Sequence, residues 1–251
     1  MNISIIGYGG MGREIERIAL AKGIGVKSII DPVAKEATHK EISKESLKEV
    51  DVAIDFTSPS VAVENIRKVC RLKTNMVVGT TGWYTQLPEV KKLVQSSKVG
   101  FIYGSNFSVG VHAYFRIIKE AAKLFNNLPD YDIWGHELHH YRKADSPSGT
   151  AKSLAEILTR NIERKNKVVY EMLDRKRADS EIHFSSCRGG PVNFKHTIGF
   201  DSEADTITIE HSARHRGGYA LGAVLAAQWT LDKKGFYIVD DFIKELLGRG
   251  G

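Results

Sequence analysis

Three of the chain's nine histidines fall in one short stretch, His136-Glu137-Leu138-His139-His140-Tyr141-Arg142-Lys143-Ala144-Asp145-Ser146-Pro147-Ser148-Gly149-Thr150. Imidazole, with an ordinary pKa of ~6.5, gives and takes protons near neutral pH. Lys143 and Arg142 add fixed positive charge beside it. Ser148, Gly149 and Thr150 read as a helix start, where a hydroxyl cap and bare N–H groups suit a carboxylate. The combination fits proton transfer to a small anionic substrate, with His139, His140, Lys143, Gly149 and Thr150 as site residues. The plainer reading makes the histidines structural.

The same stretch spells H-E-x-x-H, the pattern of zinc hydrolases. That pattern needs a helix, so that His136 and His140 share one face. Gly135 stands just before it, and Tyr131, Ile133 and Trp134 favour a strand. In a strand the two histidines stand ~13 Å apart, at ~3.3 Å per residue. Glu137 and His139 then share the other face. No metal is expected.

A second cationic stretch, Glu210 to Tyr219, carries His211, Arg214, His215 and Arg216. Arginines at a strand-to-helix junction can clamp a carboxylate with both arms. Arg216 is therefore taken as a substrate-binding candidate, with a solvated basic loop as the alternative.

The third feature is Gly7, Gly9 and Gly12, spelling G-x-G-x-x-G between a strand-like run and a helical one. In that context the first glycine makes a tight turn, the second admits a diphosphate, and the third lets helix and strand pack closely. Asp31, nineteen residues after Gly12, ends the next strand run, where a carboxylate accepts from ribose hydroxyls. The charge of Asp31 opposes a 2′-phosphate and favours NAD(H). Lys35 is near enough in sequence to offset it, so NADP(H) is the second candidate. A further turn, Gly79-Thr80-Thr81-Gly82, is read as lining the nicotinamide site.

These residues need a frame. Short apolar runs at Ile3–Ile6, Val26–Ile30, Val50–Phe56, Met76–Val78 and Val99–Tyr103 alternate with helical runs, as in a parallel sheet covered on both faces. One helix places Ile15, Ile18, Ala19 and Lys22 along a face; another begins at Pro59 with Ser58 able to cap it. From Val109 to Phe125 the pattern is one long helix. Then follow a strand over Tyr131–His140, a helix from Thr150 to about Arg164, and strands at Glu181–Ser185, Val192–Ile198 and Thr206–His211. In the last strand Ile207 and Ile209 alternate with polar residues, predicting one buried face. Helices over Ala220–Leu231 and Asp240–Leu247 precede a fraying Gly248–Gly251 run.

The reading is α/β: an N-terminal Rossmann domain, a doubly wound parallel sheet, with a second α+β domain built on a mixed sheet. Domain bounds are 1–106 for dinucleotide binding and 107–216 for substrate binding and oligomerisation. Helices in 217–251 return to the first domain.

Composition excludes several classes. Of 251 residues, 42% are hydrophobic and 26% charged, as in globular proteins. The net charge of +6 is scattered, with no basic stripe interleaved with aromatics, so no nucleic-acid partner is expected. No run approaches the ~18 apolar residues of a membrane span, and no secretory signal is expected. Two distant cysteines, Cys70 and Cys187, suit a reducing cytoplasmic compartment, and both are read as small apolar side chains.

The stretch from Glu137 to Thr150 resembles the signature of the dihydrodipicolinate reductase family: Glu, any, His, His, two variable residues, Lys, any, Asp, any, Pro, Ser, Gly, Thr. Further pieces match in order: GYGGMGRE near the N-terminus, DFTSP at Asp55–Pro59, GTTG at Gly79–Gly82, SNFSVGV at Ser105–Val111, RGG at Arg188–Gly190, His196 with Thr197, and R-x-x-Y-A-x-G-A from Arg216. The resemblance implies hydride transfer from NAD(P)H to a cyclic unsaturated dicarboxylate in lysine and diaminopimelate biosynthesis, by a homotetramer associating through the second domain's sheet. It implies His139 as acid/base residue, Lys143 as second proton donor, and His140, Gly149 and Thr150 as substrate contacts. For the cofactor it implies Gly7, Tyr8, Gly9, Gly10, Met11 and Gly12, then Asp31, Gly79, Thr80 and Thr81, then Gly104, Ser105, Asn106 and Phe107. The chain departs from the family in four places. Its glycine turn is one residue shorter than in some members. Pro32 stands where some members carry Arg, Arg214-His215 replaces a common Ser-Ser pair, and Phe194 replaces a usual Gly. Other functions consistent with the motifs taken singly are an amino-acid or diaminopimelate-type dehydrogenase, an NAD-sensing binding protein, and the H-E-x-x-H hydrolase.

Overall fold

A computed structural model describes residues 1–248, so Gly248 is the only part of the closing glycine run within the described residues. Two compact units are present: Met1–Val109 together with the chain from Arg216 onward, and Gly110–His215.

The first unit opens with β1 (Asn2–Ile6), α1 (Gly10–Ala21), β2 (Gly25–Ile30), β3 (Val52–Asp55), α2 (Pro59–Arg71) and β4 (Asn75–Val78). After a 3-10 turn at Tyr84–Gln86 come α3 (Leu87–Ser97) and β5 (Gly100–Tyr103). The chain then runs through α4 (Val109–Asn126), β6 (Asp132–His139), α5 (Gly149–Asn161), β7 (Lys167–Val169), β8 (Glu181–Arg188), β9 (Phe194–Asp201) and β10 (Thr206–Ala213). It closes with α6 (Gly217–Thr230), β11 (Gly235–Ile238) and α7 (Val239–Leu246).

In the first unit six parallel strands lie in the order β11-β5-β4-β3-β1-β2. Strand residues alternate between two cores, as period-2 side chains must. Ile3, Ile5, Ile54 and Val77 pack with Ile15 and Ile18 of α1, Ala223 and Val224 of α6, and Phe242 of α7. Ile6, Ala53, Met76 and Val78 pack on the opposite face with Ile66 and Val69 of α2 and Val90 and Val94 of α3. Each fully buried Ile contributes roughly 1.5–3 kcal/mol. Strand order reverses between β1 and β3, so the chain leaves β1 at the crevice where open α/β sheets bind ligands.

Helix α6 is rich in small residues because its neighbours approach closely. A Cβ on Gly222 would stand 1.6 Å from the Phe107 carbonyl oxygen. Backbone cannot yield as a side-chain tip can, so Gly222→Ala is expected to cost about 1–3 kcal/mol despite Ala's better helix propensity. That corresponds to a Tm lower by about 5 °C in a thermal melt; an unchanged Tm would contradict the close packing.

The second unit holds a mixed sheet in the order β10-β9-β6-β8-β7. β6 runs antiparallel to β9 and parallel to β8. Tyr114, Ile118 and Phe125 of α4 and Leu154 and Leu158 of α5 cover one face, against Ile133, Ile182, Phe184, Ile198 and Phe200.

Several local expectations are corrected. Helix α1 ends at Ala21, so Lys22 is its exposed C-cap and no part of the buried face. Ser58 does not cap α2; its hydroxyl turns to Ser60 Oγ at 2.9 Å. β10 lies at the sheet edge, where Ile207 stays 46% exposed, so the predicted buried face is incomplete. Cys70 is buried in the core, but Cys187 is exposed. β7 and β11, three and four residues long, are strands beyond those the sequence pattern predicts.

Candidate active site

The glycine-rich turn follows β1. Gly7 has φ +88°, a left-handed conformation, and a Cβ there would lie 2.4 Å from the Phe56 carbonyl oxygen. A Cβ on Gly12 would lie 2.2 Å from the Gly7 oxygen. Gly9, the N-cap of α1, has nothing within 4 Å of its Cβ position. Two of the glycines thus serve packing, and the third leaves an open cradle at a helix start with no acidic residue in its first turn. A dinucleotide diphosphate fits that cradle.

Asp31 lies just beyond β2. Its Oδ2 accepts from the Tyr8 N–H at 2.8 Å, and its Oδ1 accepts from the N–H groups of Val33 and Ala34, both at 2.8 Å. Partial burial raises its pKa, but these N–H groups and Lys40 outweigh that and hold the carboxyl below its usual range. Asp31 is therefore both a charge at the cavity and the tie between two turns. The cavity beside it measures about 480 Å³ and is lined by Gly7, Gly9, Asp31, Phe56, Lys40 and Lys68, among others. Lys35 is not among its lining residues.

The other dinucleotide candidates of this unit lie at the carboxyl ends of β4 and β5. A Cβ on Gly79 would collide with the Phe56 ring at 2.1 Å. Thr80 is buried and donates to Asp55 Oδ1 at 2.6 Å, while Thr81 is exposed. Asp55 also accepts from Thr57 Oγ1 and from Asn65 Nδ2, both at 2.8 Å. Burial still pushes its carboxyl up from the ordinary value. Gly104 abuts Val239, Asn106 Oδ1 accepts from Ser108 N at 2.8 Å, and Phe107 is buried. Met11 packs against the core and Gly10 opens α1. Arg216 also belongs to this unit. Its Nη1 lies 2.9 Å from the Cβ position of Gly10, and its guanidinium has no partner among the described residues.

The second unit builds the histidine site. β6 places Glu137 and His139 on its buried face, as alternation predicted. His136 faces the other way and meets Ser185 Oγ at 2.9 Å. The H-E-x-x-H pattern therefore lies on a strand, and the hydrolase reading is set aside. Register puts Ser186 of β8 and His196 of β9 on either side of Glu137, and Arg188 and Phe194 on either side of His139. The Arg188-Gly189-Gly190 turn holds the loop after β6: Gly189 N donates to the His139 oxygen at 3.0 Å, and Tyr141 N to the Gly190 oxygen at 3.3 Å.

Glu137 is completely buried. Its Oε1 accepts from Ser186 Oγ at 2.7 Å, Ser148 N at 3.0 Å and Arg188 Nη2 at 3.0 Å. Its Oε2 lies 3.2 Å from the Nε2 atoms of both His139 and His196, within ion-pair distance, while neither Oε2 nor His139 Nε2 completes a hydrogen bond. Burial pushes the carboxyl up, but the contacts from His139, His196, Ser148 and Ser186 prevail and hold it far below the carboxylate range. His196 is pushed down, burial outweighing the pull of Glu137. Phe194 stacks on His139, with ring centroids 5.8 Å apart, and also on His211. Glu137, His139 and His196 bring metal-type donors within 4.8 Å of one another. Arg188 already balances the one negative charge of the trio, at Glu137 Oε1.

Beside it, Ser148 caps α5, its Oγ accepting from Ala151 N at 3.1 Å. Gly149 has nothing within 4 Å of its Cβ position, and the first turn carries no acid. Lys143 Nζ reaches Asp145 Oδ1 at 2.6 Å. The Nδ1 of His140 is buried without a partner. An open helix start, a lysine and an unpartnered imidazole nitrogen suit a carboxylate ligand.

The profile described as dihydrodipicolinate reductase, N-terminus, matches residues 1–107, and that for the C-terminus matches residues 110–243. The chain belongs to the dihydrodipicolinate reductase family. Among its relatives, a 4-hydroxy-tetrahydrodipicolinate reductase of Christiangramia forsetii is 36% identical over 98% of this chain and 99% of its own length. One of Archaeoglobus fulgidus is 36% identical over 97% of this chain and 100% of its own. The solved dipicolinate-bound dihydrodipicolinate reductase of Paenisporosarcina sp. TG-14 shares the fold, with a TM-score of 0.74 at 21% identity, covering 96% of this chain and 98% of that one.

Within that family frame, sequence reasoning missed four contributors: Glu137, His196, Arg188 and Asp55. All four stood inside quoted motifs without a role. For Glu137, His196 and Arg188 the missing signal is cross-strand register, which spacing along the chain does not carry; Asp55 is placed by its contacts with Thr57, Asn65 and Thr80.

Proposed function

We propose that the chain is a cytoplasmic homotetrameric 4-hydroxy-tetrahydrodipicolinate reductase of lysine and diaminopimelate biosynthesis. The observation that carries this is the buried acid–base cluster of His139 set beside the open start of α5 in the second unit. The reduced nicotinamide, when bound, supplies two electrons and a hydrogen to the substrate ring as hydride. Gly9, Gly10 and the start of α1 hold its diphosphate, with Arg216 added from its place over Gly10. This moves Arg216 from the substrate carboxylate expected above to the cofactor. Asp31 takes the adenosine ribose, and the turns at Gly79–Thr81 and Gly104–Phe107 bound the nicotinamide end.

Lys143, His140 and the N–H groups of Gly149 and Thr150 hold the dicarboxylate; the dipicolinate bound to the Paenisporosarcina relative is a ligand of that class. His139 donates the proton that quenches the electron pair left on the substrate ring, with Lys143 as second donor. Association uses the sheet face of the second unit that α4 and α5 leave uncovered, where β6 presents Trp134, His136 and Leu138.

NADH is the preferred reductant, because Asp31 is held ionised. NADPH is also taken, because Lys40 and Lys68 line the adenosine cavity. The double variant Lys40→Ala/Lys68→Ala is expected to raise the KM for NADPH about tenfold relative to that for NADH, the size of one lost charge-assisted contact. Equal changes for the two cofactors would show that the lysines do not meet the 2′-phosphate.

The function is tested by condensing pyruvate with aspartate semialdehyde through the preceding synthase and following loss of NADH or NADPH. Turnover dependent on this chain is expected. Failure to consume either reductant, or oxidation of an amino acid with release of ammonia instead, would overturn the proposal.

A further inference from the structure

We propose that Glu137 is the positioning residue of the proton donor, one buried carboxylate that fixes His139, His196 and the start of α5 together. The inference rests on the reading of His139 given above. It begins from placement. Glu137 sits at the centre of three strands, with Ser186 on one side and His196 on the other, and two residues before His139 on the same face.

Its two oxygens have separate tasks. Oε1 is taken by Ser186, Arg188 and the backbone N–H of Ser148. Those contacts anchor the carboxylate and tie it to the cap of α5, next to the proposed substrate contacts Gly149 and Thr150. Oε2 is left to the two imidazoles, each 3.2 Å away. Ser148 closes the circuit, its Oγ lying 3.2 Å from His196 Nε2. A carboxylate beside Nε2 favours a hydrogen on that nitrogen, because an ionised carboxylate only accepts. The ring of His139 is then held with Nε2 towards Glu137, and Nδ1 serves the substrate. The logic is that of an acid residue orienting a catalytic imidazole.

The charged and titratable groups around His139 are few. They are Glu137 on its own strand, His140 next to it in the chain, Arg188 at the end of β8, His196 on β9, Lys143 and Asp145 in the loop after β6, and His211 on β10 behind Phe194. Tyr170, after β7, feels the charge of Glu137. Among these, Glu137 is the anion in direct reach of the ring, and its removal takes from Arg188 its carboxylate partner, while Lys143 keeps Asp145.

The test compares wild type, Glu137→Gln, Glu137→Asp, His139→Gln and the double variant Glu137→Gln/His139→Gln, with saturating NADH. Glu137→Gln is expected to lower kcat about 10²-fold with little change in the KM for NADH. The pH above which kcat falls is expected to move down by about one unit or more, because the protonated ring loses its neighbouring anion. Glu137→Asp keeps the charge and is expected to keep the position of that limb. The double variant is expected to be no slower than His139→Gln alone, since the two residues act as one unit. Nitrogen NMR of labelled histidine is expected to show His139 as the Nε2–H tautomer in wild type and as a mixture in Glu137→Gln.

An unchanged pH profile in Glu137→Gln, losses that multiply in the double variant, or a His139 tautomer indifferent to Glu137 would each overturn the proposal. If Glu137→Gln does not fold, an alkaline limb in Glu137→Asp displaced as far as loss of the charge would displace it does the same. Should the wild type fail to reduce the dicarboxylate, the functional reading falls instead, and the histidine spectra still decide the role of Glu137.

Discussion

Replacing His139 by Gln is expected to lower kcat by about 10²-fold or more, the usual effect of removing a general acid, while the KM for the reduced dinucleotide is expected to stay near its wild-type value. The argument is local. His139 ends β6 on its buried face, walled by Phe194 and by His196, with Glu137 Oε2 3.2 Å from its Nε2. Gln keeps polarity and approximate size but cannot carry a proton between ring and substrate. Lys143→Ala is expected to fail differently, lowering kcat and also raising the KM for the dicarboxylate, because it removes both a donor and a charge. The Lys143–Asp145 pair does not oppose that role. Asp145 is 57% exposed, and such pairs contribute about 0–1 kcal/mol, so a substrate carboxylate can displace it. Steady-state kinetics in both substrates separates the two variants, and an unchanged kcat/KM in both would remove this site.

Much of the frame could be read from residues alone. Apolar runs bounded by turn residues located β1 to β5, and alternation placed Glu137 and His139 on one face of a strand. What escaped has physical causes. β11 is four residues, Gly235-Phe236-Tyr237-Ile238, following two lysines, too short to show period 2. It becomes a strand because the free edge of β5 offers a parallel partner, with Phe236 stacked on Phe101 at 5.3 Å. β7, three residues long, is likewise an effect of the edge of β8. The roles of Glu137 and His196 depend on which residues face each other across β6 and β9, and nothing in either segment fixes that register. Phe194 illustrates the same limit from the other side. Its departure from the family glycine was visible, but its stacking between His139 and His211 was not.

The glycine-rich turn separates folding from function residue by residue, and Gly9→Ala makes the separation measurable. Gly9 has φ −80°, a conformation any residue adopts, and its Cβ position is open for 4 Å in every direction. The free protein should therefore accept Ala with no loss of Tm. The space that Ala fills is the space into which the diphosphate must come to meet the N–H groups of α1, so affinity for NADH and NADPH is expected to fall by at least about tenfold, the cost of one lost charge-assisted contact. Gly12→Ala provides the contrast: its Cβ would press on the Gly7 oxygen at 2.2 Å, and backbone strain there should lower Tm before any ligand is added. Titration of intrinsic fluorescence with NADH, beside thermal melts of the free proteins, checks both. If Gly9→Ala bound either dinucleotide as wild type does, the diphosphate would have to lie elsewhere, and the open cradle at the start of α1 would lose its assignment.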